Sequence, residues 1–216
     1  MTKRTFLTAA ISAAPFFVNR LKAAAEPLVS PGTGSIAAQV AGRVNIGLDG
    51  IVEVFVYFLF VDGLGSDLFA GQPNEHTAHF TLRADRLRPV LTANGDVMHV
   101  TFQPAPGTQG FYRVYYNPQP SNRDLTRPET FSQGTQIAAF RTRRTQATLI
   151  PSALTQVTGT IDLVESADLT FRDRTFNVSN LYQALSCVFH AKPLNVSELG
   201  VNSFSVPLGG YLIKAD

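Results

Sequence analysis

With 216 residues, 44% of them hydrophobic and 16% charged, the chain is long enough for one domain that buries roughly 70% of its unfolded surface. Its single cysteine, Cys187, excludes an intramolecular disulfide. The formal charge of +2 comes from residues 1–25, which hold Lys3, Arg4, Arg20 and Lys22 and no acid: eighteen basic residues less these four leaves fourteen against sixteen acids, or −2 beyond residue 25. So neutral a domain lacks the broad positive field that nucleic acid or anionic lipid rewards.

The first 25 residues combine a basic start, an apolar run from Phe6 to Val18 and a small-residue exit at Ala23, Ala24 and Ala25. That order is the layout of a cleaved export signal, with the cut expected before Glu26. The run is shorter than the ~20 residues a membrane helix needs. Thr2-Lys3-Arg4-Thr5-Phe6-Leu7 resembles the twin-arginine export signal, with Lys3 in place of the first arginine. That resemblance implies folding before export; the Lys substitution keeps the general route open. A periplasmic or secreted protein is expected. Residues 26–35 (EPLVSPGTGS) read as a flexible leader, and residues 36–216 as a single domain.

Residues 51–61, IVEVFVYFLFV, are β-branched and aromatic and are bracketed by Asp-Gly at 49–50 and 62–63. They read as a central strand covered on both faces, because eleven helical residues reach only about 16 Å and the alternation of a lipid-facing barrel strand is missing. No transmembrane segment is expected beyond the signal. Residues 77–83 alternate Ala78, Phe80 and Leu82 against Thr77, His79, Thr81 and Arg83. Asn94-Gly95 predicts a hairpin. Further strands are expected at 111–116, 136–150, 157–164, 169–178 (folded back at Arg172-Asp173-Arg174) and 204–213.

Two segments break this rhythm. Residues 117–130, NPQPSNRDLTRPET, form a proline-rich loop long enough to suggest a role in binding a protein partner. Residues 180–188 carry Leu181, Ala184, Leu185 and Val188 at helical spacing behind an Asn180/Gln183 capping pair, which predicts one short helix. The expected fold is all-β: a single-domain antiparallel β-barrel or β-sandwich of about ten strands with one short helix.

Few residues carry chemistry. Glu75-His76-x-x-His79 lacks metalloprotease spacing, and the odd histidine spacing on a strand sends the rings to opposite faces, so no metal site and no cofactor are expected. Cys187 sits in an apolar run and reads as buried and inert, despite His190 nearby. Arg141, Arg143 and Arg144 lack interleaved aromatics, which excludes nucleic acid, and read as a charged edge strand.

The candidate site residues are His79, His99 and Arg83 on threonine-bearing strand faces, with Tyr115 and Arg113 from the Phe111-Tyr112-Arg113-Val114-Tyr115-Tyr116 strand. Two functions follow. The first is an exported non-enzymatic β-domain that binds an apolar small molecule or engages a partner through the 117–130 loop. The alternative is a barrel enzyme of cyclase or isomerase type, in which those five residues converge on an apolar substrate and do acid/base work.

Overall fold

The computed structural model describes residues 32–64, 67–94, 97–150, 154–192 and 203–215. The export signal and most of the leader lie outside the described residues. The leader's last residues, 32–35, form a turn tied to the end of the chain, where the Gly34 amide donates to the Lys214 carbonyl at 2.9 Å.

Every β-rich run becomes strand. β1 (Ile36–Ile46) and β2 (Val52–Val61) form a hairpin across the 47–51 turn. A long bent hairpin follows, going out as β3 (Phe80–Ala84) and β4 (Leu87–Asn94) and returning as β5 (Val97–Pro104) and β6 (Phe111–Tyr116). The hairpin expected at Asn94-Gly95 forms, with Asn94 opposite Val97. β7 (Thr135–Ile150) and β8 (Leu154–Ser166) are the longest strands. A small hairpin, β9 (Asp168–Phe171) with β10 (Arg174–Asn177), folds back at Arg172, whose φ of 57° is the left-handed value a tight turn needs. β11 (Ala184–Ala191) and β12 (Phe204–Ala215) complete the chain.

β12 pairs with β1, so the sheet closes. Around the ring run β1, β2, the β3/β4 arm, the β5/β6 arm, β7, β8, β11 and β12: an eight-stranded up-and-down antiparallel barrel, with β9–β10 as a separate two-stranded sheet. Barrels of this size are filled by side chains or hold one small ligand. The bend in the long hairpin is pinned by Asp85, whose carboxylate accepts the Phe111 amide at 3.1 Å and pairs with Arg113.

Alternation now resolves into inside and outside. Val52, Val56 and Phe58 of β2, Phe80 and Leu82 of β3, and Cys187 and Phe189 of β11 point inward and are buried. Arg43, Glu53, Arg83, Arg113 and Arg143 belong to the outer face. This polarity is the inverse of a bilayer-spanning barrel, which is apolar outside. No helix among the described residues is long and apolar enough to cross a membrane.

Two expectations need correction. Residues 180–188 form no helix: a 3-10 turn at Val178–Asn180, capped by the Asn177 side chain, leads into β11. Strand ladders to β8 and β12 on both sides take the backbone hydrogen bonds there, and tertiary pairing overrides the helical spacing. The arginine-rich segment is no edge, because β7 lies between the β5/β6 arm and β8. A bulge between Thr142 and Arg144 also breaks strict alternation, leaving Arg141, Arg143 and Arg144 all exposed.

β2 is covered on its inner face and, at Phe55, on its outer face as well. Its inner face packs in the barrel, and its outer-facing Phe55, 0% exposed, lies under Phe131 with ring centroids 5.0 Å apart. Phe131 comes from a 3-10 turn (Pro128–Ser132) at the end of the long β6–β7 connection, and its carbonyl accepts the buried Thr81 hydroxyl at 2.8 Å. The loop is thus a lid on the outer wall. Phe131→Ala would strip the cover from Phe55 and Thr81 together; a loss of about 3–5 kcal/mol in urea denaturation is expected, whereas a loss below 1 kcal/mol would mean the loop contributes little to the fold.

Candidate functional site

The five expected site residues do not converge. His99 is exposed on β5, opposite Thr92 and Thr148. His79 is held by its Nδ1, 2.9 Å from the Asn117 carbonyl, and by ring contacts with Tyr116 and Phe171. Arg83 donates to Ser132 Oγ at 3.2 Å and to Glu53 at 3.3 Å on the outer wall, and Arg113 is paired with Asp85 there. Tyr115 stands opposite Thr81, on the face that the Phe131 turn covers. Each of these groups except His99 has a structural partner or sits beside one. The metal expectation concerned Glu75, His76 and His79; only a 3.6 Å His76–Glu75 contact forms, and no three His, Cys, Asp or Glu side chains come together among the described residues.

Among the described residues, inward-facing side chains line two apolar cavities. One, of about 60 Å³, occupies the half nearest the 47–51 turn and runs from Tyr112 at mid-barrel to Ile46, Pro89, Leu149 and Ala191 at that end. The other, of about 50 Å³, lies in the opposite half beneath Phe176, Val178, Leu181 and Tyr182, which close that end. Tyr182 is fixed by its hydroxyl, which donates to the Ala37 carbonyl at 3.2 Å.

Tyr112 and Thr145 line the larger cavity at its mid-barrel end, with the Cys187 thiol close enough to the phenol to bear on its titration. Thr145, Gly159 and Cys187 are neighbours across β7, β8 and β11. Gly159 is needed there, because a Cβ would stand 2.8 Å from Thr145 Oγ1. Thr155 also belongs to the lining, close to the barrel end, opposite Leu149 and Ala191. No carboxylate, histidine or cation lines either cavity among the described residues.

Burial sets the electrostatics. It pushes the Cys187 thiol up from near 9 to about 12, so the thiol is neutral and unreactive. It does the same to the Tyr112 phenol, to about 12, with nearby Cys187 as the second cause. Tyr182 is also raised, by burial first and Asp62 second.

Sequence reasoning missed Tyr112 and Thr145. The alternation at 111–116 did put Tyr112 on the face opposite Arg113 and Tyr115, but nothing in the sequence says which face is inside. For Thr145 the bulge in β7 shifts the phase, and a bulge leaves no sequence signal here.

One outlying group stands apart. Arg123, in the 117–134 loop, is 0% exposed, and all three guanidinium nitrogens lack an acceptor. Desolvation lowers its pKa to about 10. Neighbouring Asp124 does not serve it: that carboxylate accepts from the Thr126 amide and hydroxyl and pairs with Arg127.

No family model, curated protein or solved structure matches this chain. What the barrel does has to be argued from its own residues.

Two outcomes follow. Above pH 9 the unfolded chain loses the Cys187 proton while the folded chain keeps it, so the unfolded state binds fewer protons and stability falls as pH rises toward 12. Cys187 alone should cost about 1 kcal/mol between pH 9 and pH 10. Tyr112 adds to the fall above pH 10, and Arg123, whose depressed pKa has the opposite sign, offsets part of it there. Urea denaturation of Cys187→Ser across pH 8–10 should show a flatter profile; an unchanged slope would place the thiol in contact with water. Arg123→Met removes a buried charge and keeps the length of the side chain, so a gain of about 1–4 kcal/mol in the same assay at pH 7 is expected. A loss would show that the guanidinium has a partner.

Proposed function

We propose that this protein is an exported, non-enzymatic β-barrel that carries a small apolar molecule in the cavity floored by Tyr112. The observation that supports this best is the lining: hydrocarbon over nearly the whole wall, Tyr112, Thr145 and Thr155 as its polar residues, and no charge among the described residues. Ligand sites of small barrels have that character, apolar with a small number of placed polar groups. The export signal read at residues 1–25 puts such a carrier in the periplasm or outside the cell.

The enzyme alternative asks for His79 or His99, with Arg83 or Arg113, to face the bound molecule. Arg83 and Arg113 are paired on the outer wall, His79 is held at the Asn117 carbonyl and His99 is exposed on β5, and among the described residues the cavity linings carry phenols and hydroxyls with no nearby base. Binding of a protein through the 117–130 loop has less support, because Arg123, Thr130 and the adjoining Phe131 are buried.

Native mass spectrometry of the exported protein, compared with the denatured chain, tests the carrier reading. A neutral apolar compound should leave on denaturation. Ala147→Leu, which adds two branches of carbon to the cavity wall, should abolish that adduct while leaving the melting curve within a few degrees. Mature protein with no adduct, and no uptake of apolar compounds on incubation, would overturn the reading.

A further inference from the structure

We infer that two copies of this chain pair edge to edge through β4, with Leu91 opposite Leu91 on a two-fold axis, so that the β4–β5 hairpins of both copies form one continuous antiparallel sheet. The inference does not depend on what the cavity holds.

The edge exists because β4 outruns its neighbour. β2 meets β4 at one register pair, Val52↔Leu87, and β2 begins there, whereas β4 continues against β5 as far as Asn94. Past Leu87, no described strand pairs with the other side of β4. Arg88, Val90, Leu91 and Thr92 are all exposed, Val90 to 41% and Leu91 to 46%. Such an edge presents unpaired amides and carbonyls to any chain that can match them.

Which groups point outward follows from the prolines. Opposed residues of an antiparallel pair alternate between those that exchange hydrogen bonds and those that do not. Pro89 and Pro104 have no amide proton, and both stand in the same phase of the ladder, Pro89 opposite Phe102 and Pro104 opposite Leu87. That phase does not bond across to the partner strand, and Leu87 accordingly turns its backbone to Val52 of β2. Leu91 and Ala93 share the phase of Pro89. The open edge therefore offers the amides of Leu91 and Ala93 and the carbonyls of Pro89, Leu91 and Ala93.

A second copy of the same edge fits these groups. Antiparallel pairing about Leu91 exchanges both bonds between the two Leu91 residues, and on each side sets the Ala93 amide of one copy against the Pro89 carbonyl of the other. Shifted registers do worse: one centred on Pro89 has no donor at its centre, and one centred on Ala93 runs past Asn94, where the strand ends. Side chains favour the same register. Pro89 lines the cavity, so alternation places Leu91 on that inward face, beyond the end of β2 where it is left exposed. The two-fold covers one exposed leucine with the other. On the outward face Val90 meets Thr92, a β-branched pair suited to a strand surface. Arg88, the only charged residue of β4, falls opposite position 94 of the copy, so like charges do not meet.

The test uses the purified protein. Sedimentation over a concentration series should show a monomer–dimer equilibrium, weak enough to titrate, as befits an interface confined to one short strand. Leu91→Cys should oxidise to a covalent dimer, because the Cα atoms of a bonded antiparallel pair stand about 5.5 Å apart, within the ~4.4–6.8 Å that a disulfide spans. Val164→Cys, exposed on β8 to 38% before substitution, should stay monomeric under the same oxidation, and buried Cys187 should not compete. Leu91→Pro removes the amide at the centre of the interface and no bond within the chain, so it should weaken dimerisation about tenfold or more and leave the melting temperature of the dilute monomer unchanged. If that variant fails to fold, the two cysteine variants decide. A protein still monomeric at about 1 mM, an assembly larger than a dimer, a dimer unmoved by Leu91→Pro, or equal crosslinking at positions 91 and 164 overturns the inference.

Discussion

Closure of the sheet through β1 and β12 is the constraint on which the rest depends. Ten register pairs, from Ile36↔Ile213 to Ile46↔Phe204, join the first strand to the last. The two strands approach their neighbours so closely that a Cβ at Gly42 would lie 2.2 Å from the Phe55 carbonyl oxygen, and one at Gly210 would lie 2.2 Å from that of Val188. Glycine at both positions lets the seam coil. Once the ring is closed, no β1 or β12 edge is left open to another chain, and every wall residue has only two choices, inside or outside.

That division explains why the charged residues pair where they do. The inside is too narrow to hydrate an ion, so Glu53, Arg83, Asp85, Arg113, Arg143 and Asp162 stand on the outer wall and find one another there. Their ion pairs are partly exposed and individually weak. Asp85 does more than its pairing suggests, because it also holds the Phe111 amide at the bend where β3 gives way to β4 and β5 to β6. The bend lets the long hairpin meet β2 and β7 at both ends of the barrel, which a straight hairpin pairing at one end would not do.

Much of this wall was legible in the sequence. Residues 51–61 announced a strand buried on both sides by being apolar without alternation, and residues 77–83 and 111–116 showed their two faces by alternation. What the sequence lacks is a label for the inward face. Thr81 and Phe55 illustrate why: both face outward and both are fully buried, since the β6–β7 loop folds Phe131 over them. Burial by a residue 50 positions from Thr81 and 76 from Phe55 has no local signature. For the same reason His79, Arg83, Arg113 and Tyr115 looked like members of a lined pocket, because polar strand residues read alike whether they line a cavity or the outside of one. The helix expected at 180–188 fails for a related cause: Leu181 and Tyr182 close the barrel end while Leu185, Cys187 and Phe189 line the wall, so a run apolar at helical spacing serves two structures in succession.

The interior layer of Tyr112, Thr145 and Cys187 gains its character from the same closure. In an open sheet these groups would meet water, the thiol and the phenol would titrate near their ordinary values, and the hydroxyls would be ordinary solvated side chains. Enclosed, the thiol and the phenol stay neutral through the physiological range, and among the described residues this layer carries no charge. An interior so enclosed disfavours any charged group, since an unpaired ion there would lose its hydration. Closure therefore sets both the neutrality of these groups and the apolar character of the space beside them.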